Sequence, residues 1–92
     1  MEKVYIIVIE VNNDLNTSST PNDIFLLLSA EGYTVRITEH SYLIKTADKA
    51  TKIRDILTHS EINFERIFIT QVLVPTAWRN TICDNEDIKD IL

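Results

Sequence analysis

Glu10 is the side chain whose type and position most suggest chemistry. It closes an otherwise unbroken apolar run, Val4 to Ile9. A carboxylate at the end of a buried segment is costly unless it is solvated, paired with a base or bound to a cation. Three readings follow: a wet strand end, a salt bridge to a lysine or arginine, or a metal site. In the third, two copies of Glu10 in a symmetric dimer approach one another and share Mg or Mn. A second group is basic. Lys45, Lys49 and Lys52 are spaced closely enough to contact nucleic-acid phosphates. Asp48 and Asp55 stand among them, as they would on an ordinary solvated helix face.

Other chemistries find no support. His40 and His59 have no partners at metal-ligand spacing, and Cys83 has no neighbour that marks a nucleophile. One glycine in the whole chain cannot build a phosphate cradle. Asp14 to Ser18 begins like a calcium loop, but Ser19 stands where the sharp turn wants glycine and Phe25 where the bidentate acid belongs. Asn16-Thr17-Ser18 matches a glycosylation sequon, which carries no meaning inside a cell.

The elements that must position these residues belong to one 92-residue domain of ordinary globular composition, 45% hydrophobic and 25% charged. Fourteen acids against nine bases leave a net charge of −5, a poor balance for non-specific nucleic-acid binding. The apolar run at the start is too short for a signal-peptide core or a membrane span, and a lone cysteine excludes a disulfide framework. A cytoplasmic protein with no membrane partner is the expectation.

Residues 3–11 (KVYIIVIEV) lack a two-residue alternation and predict a central strand. The stretch from Asn12 to Thr20 is polar and turn-prone. Thr20-Pro21-Asn22-Asp23 predicts a helix start, with Ile24, Phe25, Leu27 and Leu28 on its apolar side. Gly32 is expected to stop that helix in the left-handed conformation. Residues 33–38 alternate as a half-buried strand, and Ser41 to Lys45 forms the next, antiparallel across a tight link. Thr46 reads as the cap of a second helix with Ala47, Ala50, Ile53, Ile56 and Leu57 as its stripe. Residues 66–74 predict a fourth strand, ended by Pro75.

The order β-α-β-β-α-β predicts an α+β, ferredoxin-like fold over residues 1–80: a four-stranded antiparallel sheet with two helices on one face and the first and third strands in the middle. Residues 81–92 form an acidic tail. From Asp84 to Leu92 four acids face one base, while Ile88, Ile91 and Leu92 make an amphipathic turn. Because the first and last strands are apolar at both parities, the sheet's reverse face needs a cover. The expected one is a second copy, through Phe68, Val72, Val74 and Trp78; the competing one is the tail folding back.

Residues 41–46 (SYLIKT), 53–57 (IRDIL), 66–69 (RIFI) and Ala77-Trp78 resemble the small ferredoxin-fold proteins related to the CRISPR adaptation scaffold, the dimeric partner of the CRISPR integrase. The resemblance spans roughly residues 3–80. It implies a homodimer in which the last strand or tail crosses to the partner, and either DNA holding or metal-dependent nuclease activity. Glu10 stands where that family has the aspartate proposed as metal ligand, and reaches one methylene further. The expectation is therefore a dimeric binding or scaffold protein that contacts nucleic acid without turnover. A protein-binding regulator or inhibitor from a mobile element, and a weak nuclease using Glu10, are the alternatives.

Overall fold

The computed structural model describes residues 2–11, 20–73, 78–79 and 81–92. The expected turn-prone stretch after the first strand, through residue 19, and Val74 among the interface residues, lie outside the described residues. The elements run β1 (Lys3–Val11), α1 (Thr20–Ser29), β2 (Tyr33–Thr38), β3 (Ser41–Thr46), α2 (Ala50–Thr58), β4 (Phe64–Gln71) and α3 (Asn85–Ile91). The strands form one antiparallel sheet ordered β2-β3-β1-β4, the ferredoxin-like arrangement, with β2 and β4 at the edges. No helix among the described residues is long and apolar enough to cross a membrane.

The period of two in β1 sends Tyr5, Ile7 and Ile9 to one face. There they meet Tyr42 and Ile44 of β3, Ile24 and Leu28 of α1, and Ile53 and Leu57 of α2. Both helices present an i, i+4 pair to this layer, the spacing that stacks side chains on one face. Full burial of each such side chain contributes about 1.5–3 kcal/mol. Tyr42 is buried to its ring edge, and its hydroxyl donates to the Pro21 carbonyl at 3.1 Å, pinning the start of α1.

Three local expectations are corrected. Gly32 is not a left-handed stop. A Cβ there would lie 2.2 Å from the Lys45 carbonyl oxygen, so the glycine is required by close approach of β3, outside the left-handed region. Thr46 does not cap α2. It is the buried last residue of β3, and Lys49 occupies the cap position with no side-chain bond. β4 begins two residues earlier than expected and ends at Gln71, although the Val72 N–H still donates to the Val4 carbonyl at 2.8 Å.

The reverse face carries the largest departure. Half of it is covered by the same chain: Ile88 and Ile91 of α3 pack on Val35 of β2 and Leu43 of β3, with Val4, Ile6, Ile37 and Trp78 around them. The tail thus docks on its own sheet, the cover that competed with a second copy. α3 lies chiefly over β2 and β3, and its core reaches Val4 and Ile6 of β1. Among the described residues, Val8 of β1 and Phe68 of β4 stay exposed on this face.

Candidate functional site

Glu10 ends up beside a base. It lies directly opposite Arg66 of β4, and the two side chains form an ion pair of 2.7 Å, both more than half exposed. Glu65 approaches the same guanidinium at 3.9 Å. Such solvated pairs stabilise by roughly 0.2–1 kcal/mol. Within one chain these residues do not make a cation site: the nearest charged partner is an arginine, and no group of three potential ligands occurs among the described residues.

The three lysines do not converge. Lys45 has the parity of Leu43, which is buried under α3, so it belongs to the α3 face between Tyr33 and Val4. Lys49 and Lys52 stand on the opposite side of the sheet with α2. Lys52 is already engaged, 3.2 Å from Asp48 Oδ1 and 3.8 Å from Glu31 Oε2. Its hydrogen bond to Asp48 holds its ammonium above the ordinary lysine value.

That engagement belongs to a junction that sequence reasoning missed. The Thr46 hydroxyl donates to the Glu31 carbonyl at 2.9 Å and accepts the Asp48 N–H at 3.1 Å, tying the α1–β2 turn to the β3–α2 turn. Asp48 Oδ2 is buried and has no donor while both carboxyls are ionised. The hydrogen bond to Asp48 is the main reason the Glu31 carboxyl is held above its ordinary value, with desolvation adding to it. Asp48 is pushed below its ordinary value by the same bond and by Lys52. With Glu31 raised and Asp48 lowered, the two carboxyls titrate as a coupled pair. An open groove of about 640 Å³ runs from it along α2, past Lys49 and Asp55 to His59. The Thr46-x-Asp48 turn and the Asp48–Lys52 spacing of four were visible in the sequence. The contact with Glu31, 17 positions before Asp48, was not.

The expected interface residues part company. Trp78 is half-buried at the rim of the α3 core, and its indole N–H donates to Asn85 Oδ1 at 3.1 Å, so it anchors the tail. Val72 packs at the margin of the same core. Phe68 is different: it is 64% exposed, and it sits directly opposite Val8, itself 40% exposed. This cross-strand pair lies on the reverse face, outside the α3 core. On the helix side of β4, small grooves of about 250 and 210 Å³ separate the strand from α2, with Ile67 and Arg54 lining both. The edge of β4 therefore has unfilled apolar surface on either side.

No family model, no curated protein and no solved structure matches the chain.

Proposed function

We propose that this protein works by binding rather than turnover, as a homodimeric scaffold of the kind its resemblance to the CRISPR adaptation scaffold implies. The observation that carries the reading is the Val8–Phe68 pair: two apolar side chains exposed side by side, next to an edge strand whose outer side no described strand pairs. Large exposed aromatics bordering free backbone donors and acceptors favour association. Catalysis has less to stand on, because Glu10 is paired with Arg66 and the coupled Glu31 and Asp48 carboxyls sit at a turn junction instead of lining an enclosed pocket.

Sedimentation equilibrium across a wide concentration range tests the reading. The expected result is a particle of twice the 10.6 kDa chain mass. A lone chain at every concentration would overturn it. Titration with duplex and single-stranded nucleic acid at rising salt then reports on the partner. Affinity that falls steeply with salt is expected of a scaffold that neutralises phosphates, and no binding at low salt removes nucleic acid from the proposal.

A further inference from the structure

The hydrogen-bond alternation along β4 specifies how a second copy would add to it. The Val72 N–H bonds to the Val4 carbonyl, and the β1–β4 register pairs Thr70 with Ile6 and Phe68 with Val8. In an antiparallel ladder the residues of one parity direct both backbone groups to the same neighbour. Residues 68, 70 and 72 therefore spend theirs on β1. Ile67, Ile69 and Gln71 point theirs away from the sheet, where no described strand receives them. The opposite edge is not equally free, since the Ile82 N–H donates to the Ile37 carbonyl of β2 at 2.9 Å.

Building on the homodimer reading, we infer that two copies join β4 to β4, antiparallel, with Phe68 opposite Phe68 on the two-fold axis. The sheet then runs continuously through eight strands. A two-fold axis normal to the sheet keeps α1 and α2 of both copies on one side and both α3 helices on the other. Ile67 of each strand exchanges backbone hydrogen bonds with Ile69 of the other, using the outward groups of both. Phe68 falls on a non-hydrogen-bonded position, where side chains approach most closely. Val8, Phe68, Phe68 and Val8 then form one apolar row across the seam.

Charge supports this partner and this register. The chain carries −5 overall, so two copies repel over most of their surface. The β4 edge is the balanced exception: two of the four arginines, Arg54 and Arg66, stand along it, paired with Asp55 and with Glu10 and Glu65. Phe68-on-Phe68 pairing sets Arg66 against Thr70 and Glu65 against Gln71, so no like charges oppose. Sliding the partner by four residues to centre on Arg66 would place two guanidinium groups face to face. The same register separates the two Glu10 residues by roughly 20 Å, given strand spacings near 4.8 Å and a rise of about 3.4 Å per residue. It thus excludes a cation shared between them.

Disulfide trapping in a Cys83→Ser background, the sole native thiol being removed, tests the register. Opposed residues at a non-hydrogen-bonded antiparallel pair lie about 4.5 Å apart at Cα, within disulfide reach. Phe68→Cys is expected to cross-link to a covalent dimer on mild oxidation. Thr70→Cys alone is expected not to cross-link, whereas an equal mixture of Arg66→Cys and Thr70→Cys chains should form the mixed dimer. Amide hydrogen exchange gives a readout without substitution. The Ile67 and Ile69 amides should gain at least about tenfold protection as concentration rises, while those of Phe68 and Thr70 are protected throughout. Self-linking of Thr70→Cys, or a sedimenting dimer in which Ile67 and Ile69 stay unprotected, would overturn the edge pairing and leave the homodimer reading standing. A lone 10.6 kDa chain at all concentrations would overturn both.

Discussion

Trp78 and Asn85 are joined by a 3.1 Å hydrogen bond from the indole N–H to the side-chain oxygen, which fixes the chain leaving the sheet to the first turn of α3. Below this clasp, Ile88 and Ile91 are almost fully buried on β2 and β3. A seven-residue helix has no stability of its own in water, so α3 exists because that face of the sheet receives it. Ile91→Ala should cost about 2–4 kcal/mol in urea unfolding. Trp78→Ala, at a half-buried site, should cost about 1–3 kcal/mol. A loss under about 0.5 kcal/mol for Ile91→Ala would mean that the tail is not docked.

Gly32 tests a different kind of constraint. A methyl group added there meets the Lys45 carbonyl at 2.2 Å, and both partners are backbone, so neither turn can yield cheaply. Gly32→Ala is expected to destabilise by about 1–3 kcal/mol or more despite alanine's better helix propensity. If the variant proved as stable as the parent in thermal unfolding, the close approach would be wrong.

The Glu31–Asp48 pair predicts a pH signature. Glu31 is raised in the folded state, so it contributes stability that is fully present below the ordinary glutamate value and is lost as pH climbs through its raised value. Asp48 is depressed, so its contribution is present above the ordinary aspartate value and disappears as pH falls through its lowered one. Glu31→Gln keeps position 31 neutral at every pH and can still donate to Asp48. Its urea midpoint should therefore rise relative to the parent as pH increases through the raised Glu31 value. Parallel midpoint curves for the two proteins between about pH 4 and 8 would show that Glu31 is not raised by Asp48.

Glu10→Gln addresses the ion pair at the end of β1. Both partners are more than half exposed, and the expected change is under about 1 kcal/mol, shrinking further with added salt. A larger, salt-insensitive loss would require a role for this carboxylate that the Arg66 contact does not supply.

The element order, the sheet topology and most strand bounds were legible in the residues because each is set by local pattern. Alternation at Tyr33, Val35 and Ile37 and the i, i+4 pairs Ile24–Leu28 and Ile53–Leu57 need no distant partner to be recognised. Errors fell where a residue's role depends on what comes near it in space. Thr46 has the side chain of a cap, but Glu31 and Asp48 recruit its hydroxyl to join two turns. Gly32 stands at the end of a helix for the sake of a carbonyl in β3.

The candidate site divides in the same way. That the reverse face is apolar follows from composition at alternate positions of β1 and β4, which local pattern records. Which half of that face is covered depends on where the tail packs, and burial free energy belongs to the contact made and not to either segment alone. Folding back put Trp78 and Val72 beside α3 and left Phe68 and Val8 in water. The pairing of Glu10 with Arg66 likewise arises only once β1 and β4 lie side by side in register, 56 residues apart in the chain.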